Sequence, residues 1–404
     1  MEELYSFFTI ILAGVFFSMI SRRMHIPWVV ALILGGVIVG PHALGILEVN
    51  SSVSFIGQIG LVFLMFMAGL ETNLSSFRGF RKELAWLSLI NGAVPCVVGI
   101  GIGLFFGYGM LPSLLIGIVF ISSSIAVVIP SLESRGLMRT RLGQSVVMSI
   151  AMQDIASLII LSVVLQTVNP VAALPLIIFY PLLLTTFLLF RYLLPKINRL
   201  LKILARGTQE LFQQEFRSTF LILLGTVVIF DFLGLHPIIS GFFAGLMLAN
   251  SITAPVLKEK INTISYGIFI PTFFVVIGAE TDIGVFKDFV SIAPLILAIV
   301  FGSAISKFSS GWLGGRMVGF TSDQSLLFGV SSIPQLSTTL AVTFAALSLG
   351  LIDQKLMTAM VILSVATVII GPLLMNIFSS HIQAAAARLD QRAEESTKLK
   401  NPTA

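Results

Sequence analysis

Runs of apolar residues, each about as long as a membrane is thick, follow one another along most of the chain. A membrane-spanning helix needs roughly 20 mostly apolar residues. Several of these runs contain Gly or Pro, which spanning helices tolerate better than soluble ones do. The pattern predicts an all-α, polytopic membrane protein with about thirteen spans, near residues 4–20, 27–40, 53–70, 84–107, 112–130, 144–166, 170–193, 217–233, 237–250, 264–279, 290–313, 325–348 and 356–378.

The basic residues test this span count, because Lys and Arg concentrate in cytoplasmic connections. With the N-terminus outside, the 24 Lys and Arg residues fall in inward-facing connections or in the C-terminal tail, with three exceptions. Lys287 and Lys355 face outward, and Lys307 lies inside a span. One missed span would reverse every later loop. The distribution therefore predicts a multi-pass protein of the bacterial inner membrane, with the N-terminus outside and the C-terminus in the cytoplasm.

The composition excludes several classes of function. The chain is 56% hydrophobic and 11% charged, whereas soluble domains average about 25% charged residues, so a soluble enzyme is excluded. Cys96 is the only cysteine and the four histidines are scattered, so we expect neither an internal disulfide nor a metal cluster. No phosphate loop or nucleophile constellation is present, and no basic block carries aromatic residues for nucleic-acid binding. We expect no enzymatic activity, no cofactor and no nucleic-acid partner.

Two parts of the chain resemble each other at an offset of 209 residues. "GLETNLSSFR" begins at Gly69 and "GAETDIGVFK" begins at Gly278. The same offset relates Ile121–Ser123 to Val330–Ser332, and Gly36 to Gly245. Seven predicted spans separate the copies, so they enter the membrane in opposite senses, as in the inverted repeats of secondary transporters. We expect a transmembrane domain over residues 1–380, with repeat one at about 4–166 and repeat two at about 217–378.

The segment between the repeats, about 170–215, is predicted to form a linker helix. Its polar part, Lys196–Glu215, places Ile197, Leu200 and Leu204 on one helical face, which is typical of a helix lying along the membrane surface. An ordinary charged loop is the alternative. Residues 381–404 are predicted to form a short polar cytoplasmic tail.

The fifth and twelfth spans correspond to each other within the repeats, and both contain helix-breaking residues. The relevant positions are Ser122, Ser123, Ser124 and Pro130 in the fifth span, and Ser331, Ser332, Pro334 and Gln335 in the twelfth. Pro removes a backbone donor, and hydroxyl groups can bond the carbonyls that this frees. The pattern predicts two unwound helices that cross near the membrane midplane. The alternative is that the small residues only pack helices together.

Asp154 lies at the middle of the apolar run "SVVMSIAMQDIASLIILSVV", with Gln153 beside it. It follows Arg141 by 13 residues, or roughly 20 Å of helix. An ionised Asp at the centre of a spanning helix costs about 2.5–3.5 kcal/mol on insertion scales. We therefore interpret Asp154 as an ion-binding and proton-binding residue that holds a monovalent cation, with Gln153 in support. The alternative is a buried structural partner.

Lys307 is the only base at a similar depth. It lies 9 residues, or roughly 14 Å of helix, before the inward-facing Arg316, which predicts a depth similar to that of Asp154. The alternatives to a functional role are that its side chain reaches out to the membrane interface, or that it forms a structural ion pair, with Asp154 as one possible partner.

Six segments of the chain form a pattern found in one transporter family. They are "IPWVVALILGGVIVGP", "GLVFLMFMAGLETNL", "GQSVVMSIAMQDIASL", "HPIISGFFAGLMLANS", "FFVVIGAETDI" and "SAISKFSSGWLGGRM". Over about residues 7–378 the chain resembles the monovalent cation/proton antiporter family, in the branch that includes the Kef-type potassium/proton antiporters. The Gln153-Asp154 pair is similar to the Kef-type pair, whereas related electrogenic sodium/proton exchangers usually have two acids there.

The resemblance implies a thirteen-helix fold with a dimerisation domain and a mobile core domain that works by elevator-like motion in a homodimer. It implies that Asp154 carries the ion or the proton, and that Lys307 stabilises the crossing or competes with the ion. Two departures qualify it. Kef-type proteins usually carry a nucleotide-binding domain after the membrane part, and no such domain is expected in these 404 residues. The twelfth span reads "SSIPQLSTTLAV" instead of the usual Gly- and Glu-containing sequence, which leaves the ion preference open.

The lone deep carboxylate favours a secondary antiporter that exchanges potassium or sodium for protons. Burial penalises the charged carboxylate and a nearby cation favours it, so one Asp can hold a proton or an alkali cation in turn. A single shared site favours one-for-one, electroneutral exchange. The alternatives are a sodium-coupled symporter of an organic anion on a similar crossed-helix fold, and a channel or sensor without turnover.

Overall fold

A computed structural model describes residues 2–24, 26–72, 82–138, 140–168, 211–232, 235–249, 255–284 and 289–400, with isolated positions between 181 and 196. The α-helices are α1 (Glu2–Met24), α2 (Trp28–Val39), α3 (Ser51–Glu71), α4 (Lys82–Phe105), α5 (Met110–Ile121), α6 (Ile125–Glu133), α7 (Arg141–Val168), α8 (Leu211–Phe232), α9 (Pro237–Leu248), α10 (Pro255–Ile264), α11 (Ile270–Glu280), α12 (Phe289–Met317), α13 (Ser322–Ser331), α14 (Ser337–Ser348) and α15 (Gln354–Lys400). A π-helical turn, Ser265–Phe269, joins α10 to α11.

These helices agree with the predicted spans. In the described part of the chain, eight helical stretches are long and apolar enough to cross a membrane, and shorter apolar helices lie between them. Each predicted span outside 170–193 coincides with one helix or with two helical pieces, which confirms the thirteen-span fold class. The seventh span and the linker predicted for 170–215 lie largely outside the described residues. The last predicted span lies within α15, and this helix continues beyond the span without interruption to Lys400.

The two repeats pack against each other through glycines at matching positions. A Cβ atom at Gly36 would collide with the backbone oxygen of Val275, and one at Gly245 would collide with that of Phe66. Gly245 and Val275 follow Gly36 and Phe66 by the repeat offset, so one contact occurs twice. The same holds for Gly69 against Phe242 and for Gly278 against Ile33. α2 thus packs on α11 and α3 on α9 in equivalent ways, as the predicted inverted repeat requires.

The distribution of polar and apolar side chains is that of a protein in lipid. On α1, Leu4, Phe8 and Phe16 are all more than half exposed, which suits contact with hydrocarbon. By contrast, Asp154 and Lys307 are buried. Charged groups in such an interior face the helix bundle and need polar partners, so these two residues locate the region to consider for function.

Candidate functional site

Two broken helices meet at the centre of the molecule. The first breaks between α5 and α6, after Ile121, and the second breaks between α13 and α14, after Ser331. The Ser123 hydroxyl donates to the Ser332 carbonyl at 2.8 Å, and the Ser124 amide donates to the Pro334 carbonyl at 2.7 Å. Each break therefore satisfies part of the other's freed backbone, and the predicted crossing of the fifth and twelfth spans is confirmed.

Asp154 reaches this crossing from the middle of α7. Its side chain is only 3% exposed. The Thr338 hydroxyl, in the first turn of α14, donates to Asp154 Oδ1 at 3.2 Å, and the backbone N–H of Ser123 lies close enough to the carboxylate to interact with its charge. The carboxylate thus touches both broken helices at once. An oxygen-rich position of this kind can hold either a proton or a small hard cation.

Lys307 ties the crossing to α4 and α7. Its Nζ atom donates to the Ile121 carbonyl, to Gln153 Oε1 at 2.9 Å and to the Asn91 carbonyl at 3.4 Å. The Ile121 carbonyl is the last of α5, where a positive charge complements the helix dipole. Among the described residues these are the hydrogen bonds of the ammonium group, so the direct Lys307–Asp154 pair considered from the sequence is not the arrangement observed.

The Asn91 carbonyl is available to Lys307 because of a proline. In an α-helix the carbonyl of residue 91 would accept from the amide of residue 95. Position 95 is Pro95, inside α4, and proline has no N–H to donate. Lys307 therefore replaces the missing amide donor to the Asn91 carbonyl in α4, and it caps the C-terminal end of α5 at the Ile121 carbonyl.

Gln153 links Lys307 to a pair of hydroxyls, which belong to Ser149, one turn earlier on α7, and to Ser88 of α4. Its Nε2 atom donates to the Ser149 hydroxyl at 3.2 Å, and the Ser88 hydroxyl donates to the same Ser149 oxygen at 3.0 Å. Both ends of the Gln153 amide are thereby engaged next to Asp154. The residue orients Lys307 and keeps its charge beside the carboxylate without direct contact.

The remaining predicted serines bond mainly to the ends of their own helices. The Ser122 hydroxyl donates to the Val119 carbonyl at 3.3 Å, and the Ser331 hydroxyl donates to the Leu327 carbonyl at 2.7 Å. The Ser332 hydroxyl donates to the Gly329 carbonyl at 2.7 Å and lies 3.2 Å from the Lys307 carbonyl. These three residues support the breaks.

Several buried polar atoms at the crossing of the two breaks lack a hydrogen-bond partner among the described residues. They include both side-chain atoms of Gln335 and the hydroxyls of Ser124 and Thr339. Gln335 is fully buried, and Ser124 is backbone-bonded to its neighbour Pro334. Buried polar groups normally have a hydrogen-bond partner. The oxygens in this set could therefore serve as ligands for a cation beside the crossing.

A cavity of about 920 Å³ borders the crossing. Its lining includes Ile125 at the start of α6 and Ser337 at the start of α14, as well as Glu71 and Lys258. Ser337 directly precedes Thr338, the partner of Asp154. A second cavity of about 430 Å³ is lined by Phe344, Ser348 and Glu280, and among the described residues neither break contributes to it.

Two contributors to this site, Thr338 and Asn91, were not predicted from the sequence. Thr338 was only one hydroxyl among several in the twelfth span, and Asn91 lies in an ordinary apolar run. A signal for Asn91 does exist, because Pro95 follows it by four residues and leaves its carbonyl free. In the described part of the chain no cluster of three His, Cys, Asp or Glu residues could hold a metal ion, so a cation at the crossing would depend on Asp154 and neutral oxygens.

Comparison with known sequences gives a consistent family assignment. The family model described as "Sodium/hydrogen exchanger, transmembrane" matches residues 7–378. The probable Na(+)/H(+) antiporter 3 of Methanocaldococcus jannaschii is 31% identical over 387 residues, which cover 93% of this chain and 97% of the relative. The Na(+)/H(+) antiporter of Enterococcus hirae is 27% identical over 386 residues, which cover 93% of this chain and 97% of that relative. The Na(+)/H(+)-K(+) antiporter GerN of Bacillus cereus is 26% identical over 360 residues, which cover 87% of this chain and 90% of GerN.

Comparison with solved structures concerns the fold. The sodium proton antiporter MjNhaP1 from Methanocaldococcus jannaschii, in its structure at pH 8, superposes with a TM-score of 0.66 at 17% sequence identity. The match covers 94% of this chain and 99% of that chain. The two proteins share an architecture.

Proposed function

The chain belongs to the sodium/hydrogen exchanger family, and from this premise we propose that it exchanges sodium or potassium for protons at Asp154 by alternating access. Family membership supports cation/proton exchange as such. The sodium-coupled symporter alternative is not supported, because the relatives that align along most of the chain are named as antiporters. The proposal adds the site, the cation and the coupling.

One observation carries the assignment of the site: Asp154 is a buried carboxylate that touches both broken helices. A proton on Asp154 neutralises the charge that burial penalises, and a bound alkali cation does the same with help from neighbouring oxygens. The two occupants exclude each other because they compete for the same carboxylate oxygens. Exchange follows if the site changes faces only when occupied.

The oxygens without a hydrogen-bond partner at the crossing favour a cation at this position. Alkali cations prefer oxygen ligands, and transporters of this type use unwound backbone for that purpose. The side-chain oxygen of Gln335 and the hydroxyls of Ser124 and Thr339 are of this type. The cavity that ends at Ser337 supplies a route from one face to this group.

The choice between sodium and potassium is part of the proposal. GerN is named for both cations, and the Kef-type resemblance adds potassium to the sodium of the other relatives. We propose that Gln153, in place of a second acid, leaves one carboxylate to be neutralised, so that one cation exchanges for one proton.

The proposal for the whole protein is a homodimer in the bacterial inner membrane, with the N-terminus outside. In it, the core carrying the crossed helices moves relative to a dimerisation part in an elevator-like manner. The positive-inside distribution of Lys and Arg supports the orientation. It assigns the 920 Å³ cavity, lined by Glu133 and Lys258, to the cytoplasmic face.

Replacement of Asp154 by Asn tests the site. In proteoliposomes with an imposed proton gradient, we expect sodium or potassium to dissipate the gradient in the wild type and neither to do so in Asp154→Asn. Asp323→Asn is the matched control, because Asp323 is an exposed acid at the start of α13 and its variant should exchange normally. Thermal unfolding and gel filtration should show both variants folded. Exchange by folded Asp154→Asn would refute the assignment.

A further inference from the structure

Two glutamates end corresponding helices in the two repeats. Glu71 is the last residue of α3 and Glu280 is the last residue of α11, 209 residues later. Each is followed by a threonine, Thr72 or Thr281, with the same cap. The threonine amide donates to the carbonyl three residues back, at 3.2 and 3.1 Å, and its hydroxyl donates to the carbonyl four residues back, at 2.8 Å in both copies.

This location is electrostatically unfavourable for an acid. The C-terminal end of a helix carries a partial negative charge, which favours a nearby cation and disfavours a carboxylate. Both repeats nevertheless keep an acid at this position, and both glutamates are only partly exposed. The carboxylate and the negative end of the helix dipole together make each helix end a negative centre that attracts cations.

Each glutamate lines one of the two cavities. Glu71 lines the 920 Å³ cavity, together with Glu133 and Lys258 as the other charged residues. Glu280 lines the 430 Å³ cavity, where His42 is the other titratable group. Because the repeats are inverted, the two glutamates lie toward opposite faces of the membrane. Acids exceed bases by one in the lining of each cavity when His42 is neutral.

The hydroxyl partners of both glutamates come from the other repeat. The Tyr266 hydroxyl, in the π-helical turn, donates to Glu71 Oε1 at 3.1 Å, and the Ser54 hydroxyl donates to Glu280 Oε1 at 3.4 Å. These bonds orient one carboxylate oxygen, and no other hydrogen bond to either carboxylate is found among the described residues. They also offer a purely structural explanation, in which the glutamates only hold the repeats together.

We propose that Glu71 and Glu280 are a pair of cation-attracting residues, one at each face, that set the apparent affinity for the transported alkali cation on their own side. The inference rests on the proposed exchange at Asp154. It adds one residue at each face, Glu71 or Glu280, that affects cation uptake from that face. A carboxylate in a narrow, low-dielectric opening raises the local concentration of cations. Because the two glutamates occupy corresponding positions in the repeats, each face has one such carboxylate.

The test measures exchange separately on each face. In everted membrane vesicles the cation is presented to the cytoplasmic face, and in right-side-out vesicles it is presented to the outer face. We expect Glu71→Gln to raise KM for the cation about fivefold in everted vesicles only, and Glu280→Gln to do so in right-side-out vesicles only, with maximal rates within about twofold of the wild type. Glutamine keeps the hydrogen-bond acceptor and removes the charge.

Tyr266→Phe and Ser54→Ala are the controls for a structural role, because they remove the hydrogen bond and keep the charge. Their KM values should stay near the wild-type value on both faces. A second measurement needs no variant: added choline chloride should raise the wild-type KM on both faces, because salt screens the attraction.

Three results would overturn the inference while leaving exchange at Asp154 intact. The first is an unchanged KM in both glutamine variants, the second is an equal rise on both faces, and the third is a rise in the hydroxyl variants as large as that in the glutamine variants. A wild-type chain without cation-dependent proton movement would instead overturn the proposed function, and the inference with it.

Discussion

At the residue scale, Lys307 shows how a charge can be kept inside a membrane protein. A lone ammonium there is costly, yet three acceptors surround this one, at Ile121, Gln153 and Asn91. Two are backbone carbonyls that lost their amide partners, one at the end of a helix and one opposite Pro95. The lysine therefore stabilises the crossing through the backbone, while Asp154 keeps its carboxylate for other partners.

Substitution of Lys307 tests this explanation. Lys307→Ala should destabilise the protein by about 1–3 kcal/mol for each acceptor left unpaired. Pro95→Ala restores an amide opposite the Asn91 carbonyl, so the double variant should be less destabilised than the sum of the two single variants. Thermal unfolding in detergent measures the difference. Pro294→Ala, in the helix that carries Lys307, is the control, and its effect should add to that of Lys307→Ala. If the effects of Pro95→Ala and Lys307→Ala were also additive, the backbone role of Lys307 would be contradicted.

The sequence identified the charged members of the site, together with Gln153 and the polar residues of the two breaks, but it missed Thr338 and Asn91, for a physical reason. Asp154 and Lys307 stand out because a charge in an apolar run is rare and costly. Thr338 and Asn91 do not, because hydroxyl and amide side chains are common in spanning helices and pack many of them. Their part depends on which helices meet, which one sequence does not reveal. For the same reason Lys307 was considered as a partner of Asp154, whereas the structure pairs it with Gln153.

At the element scale, glycines decide how closely the repeats approach. Gly36 and Gly245 place α2 and α9 directly against the backbone of α11 and α3. Any side chain at these positions would push a helix pair apart. The helix pattern and the repeat offset were predictable from the sequence, because apolar period and self-similarity are local properties. The pairing of α2 with α11 was not, because it requires the fold.

Matched alanine substitutions test the equivalence of the two contacts. Gly36→Ala and Gly245→Ala should each destabilise the protein by about 1–3 kcal/mol, as overpacking does. Gly101→Ala is the control, because a Cβ there meets no atom within 4 Å, and alanine favours helix over glycine by about 0.5–1 kcal/mol. Unfolding temperatures and the yield of monodisperse protein report the result. A large loss in only one of the two variants would mean that the contacts are not equivalent.

At the scale of the whole molecule, the two cavities are unequal although the repeats are alike. The larger one reaches Ser337, beside the partner of Asp154, and the smaller one is lined on α14 by Phe344, Leu347 and Ser348. In the proposed alternating-access cycle, the two sides of the protein do not open at the same time. Under that proposal, the unequal cavities correspond to one half of the cycle.

Coupling is a property of the whole cycle and can be measured as charge movement. With Asp154 as the only shared carboxylate and Lys307 held by its own partners, each crossing should carry one positive charge in either direction. Exchange in proteoliposomes should then generate no membrane potential, and clamping the potential with valinomycin should leave the rate of sodium-driven proton movement unchanged. A voltage-sensitive dye that responds during exchange would indicate unequal stoichiometry.

The hydrogen bond between Ser123 and Ser332 has a further meaning, because these residues occupy the same position in the two repeats and are 209 residues apart. An operation that interchanges the halves carries this bond onto the same two residues, with donor and acceptor reversed. The bond therefore lies on the axis that relates the two repeats. If the repeats exchange conformations during turnover, the surrounding contacts change, and the contact between these two serines is kept.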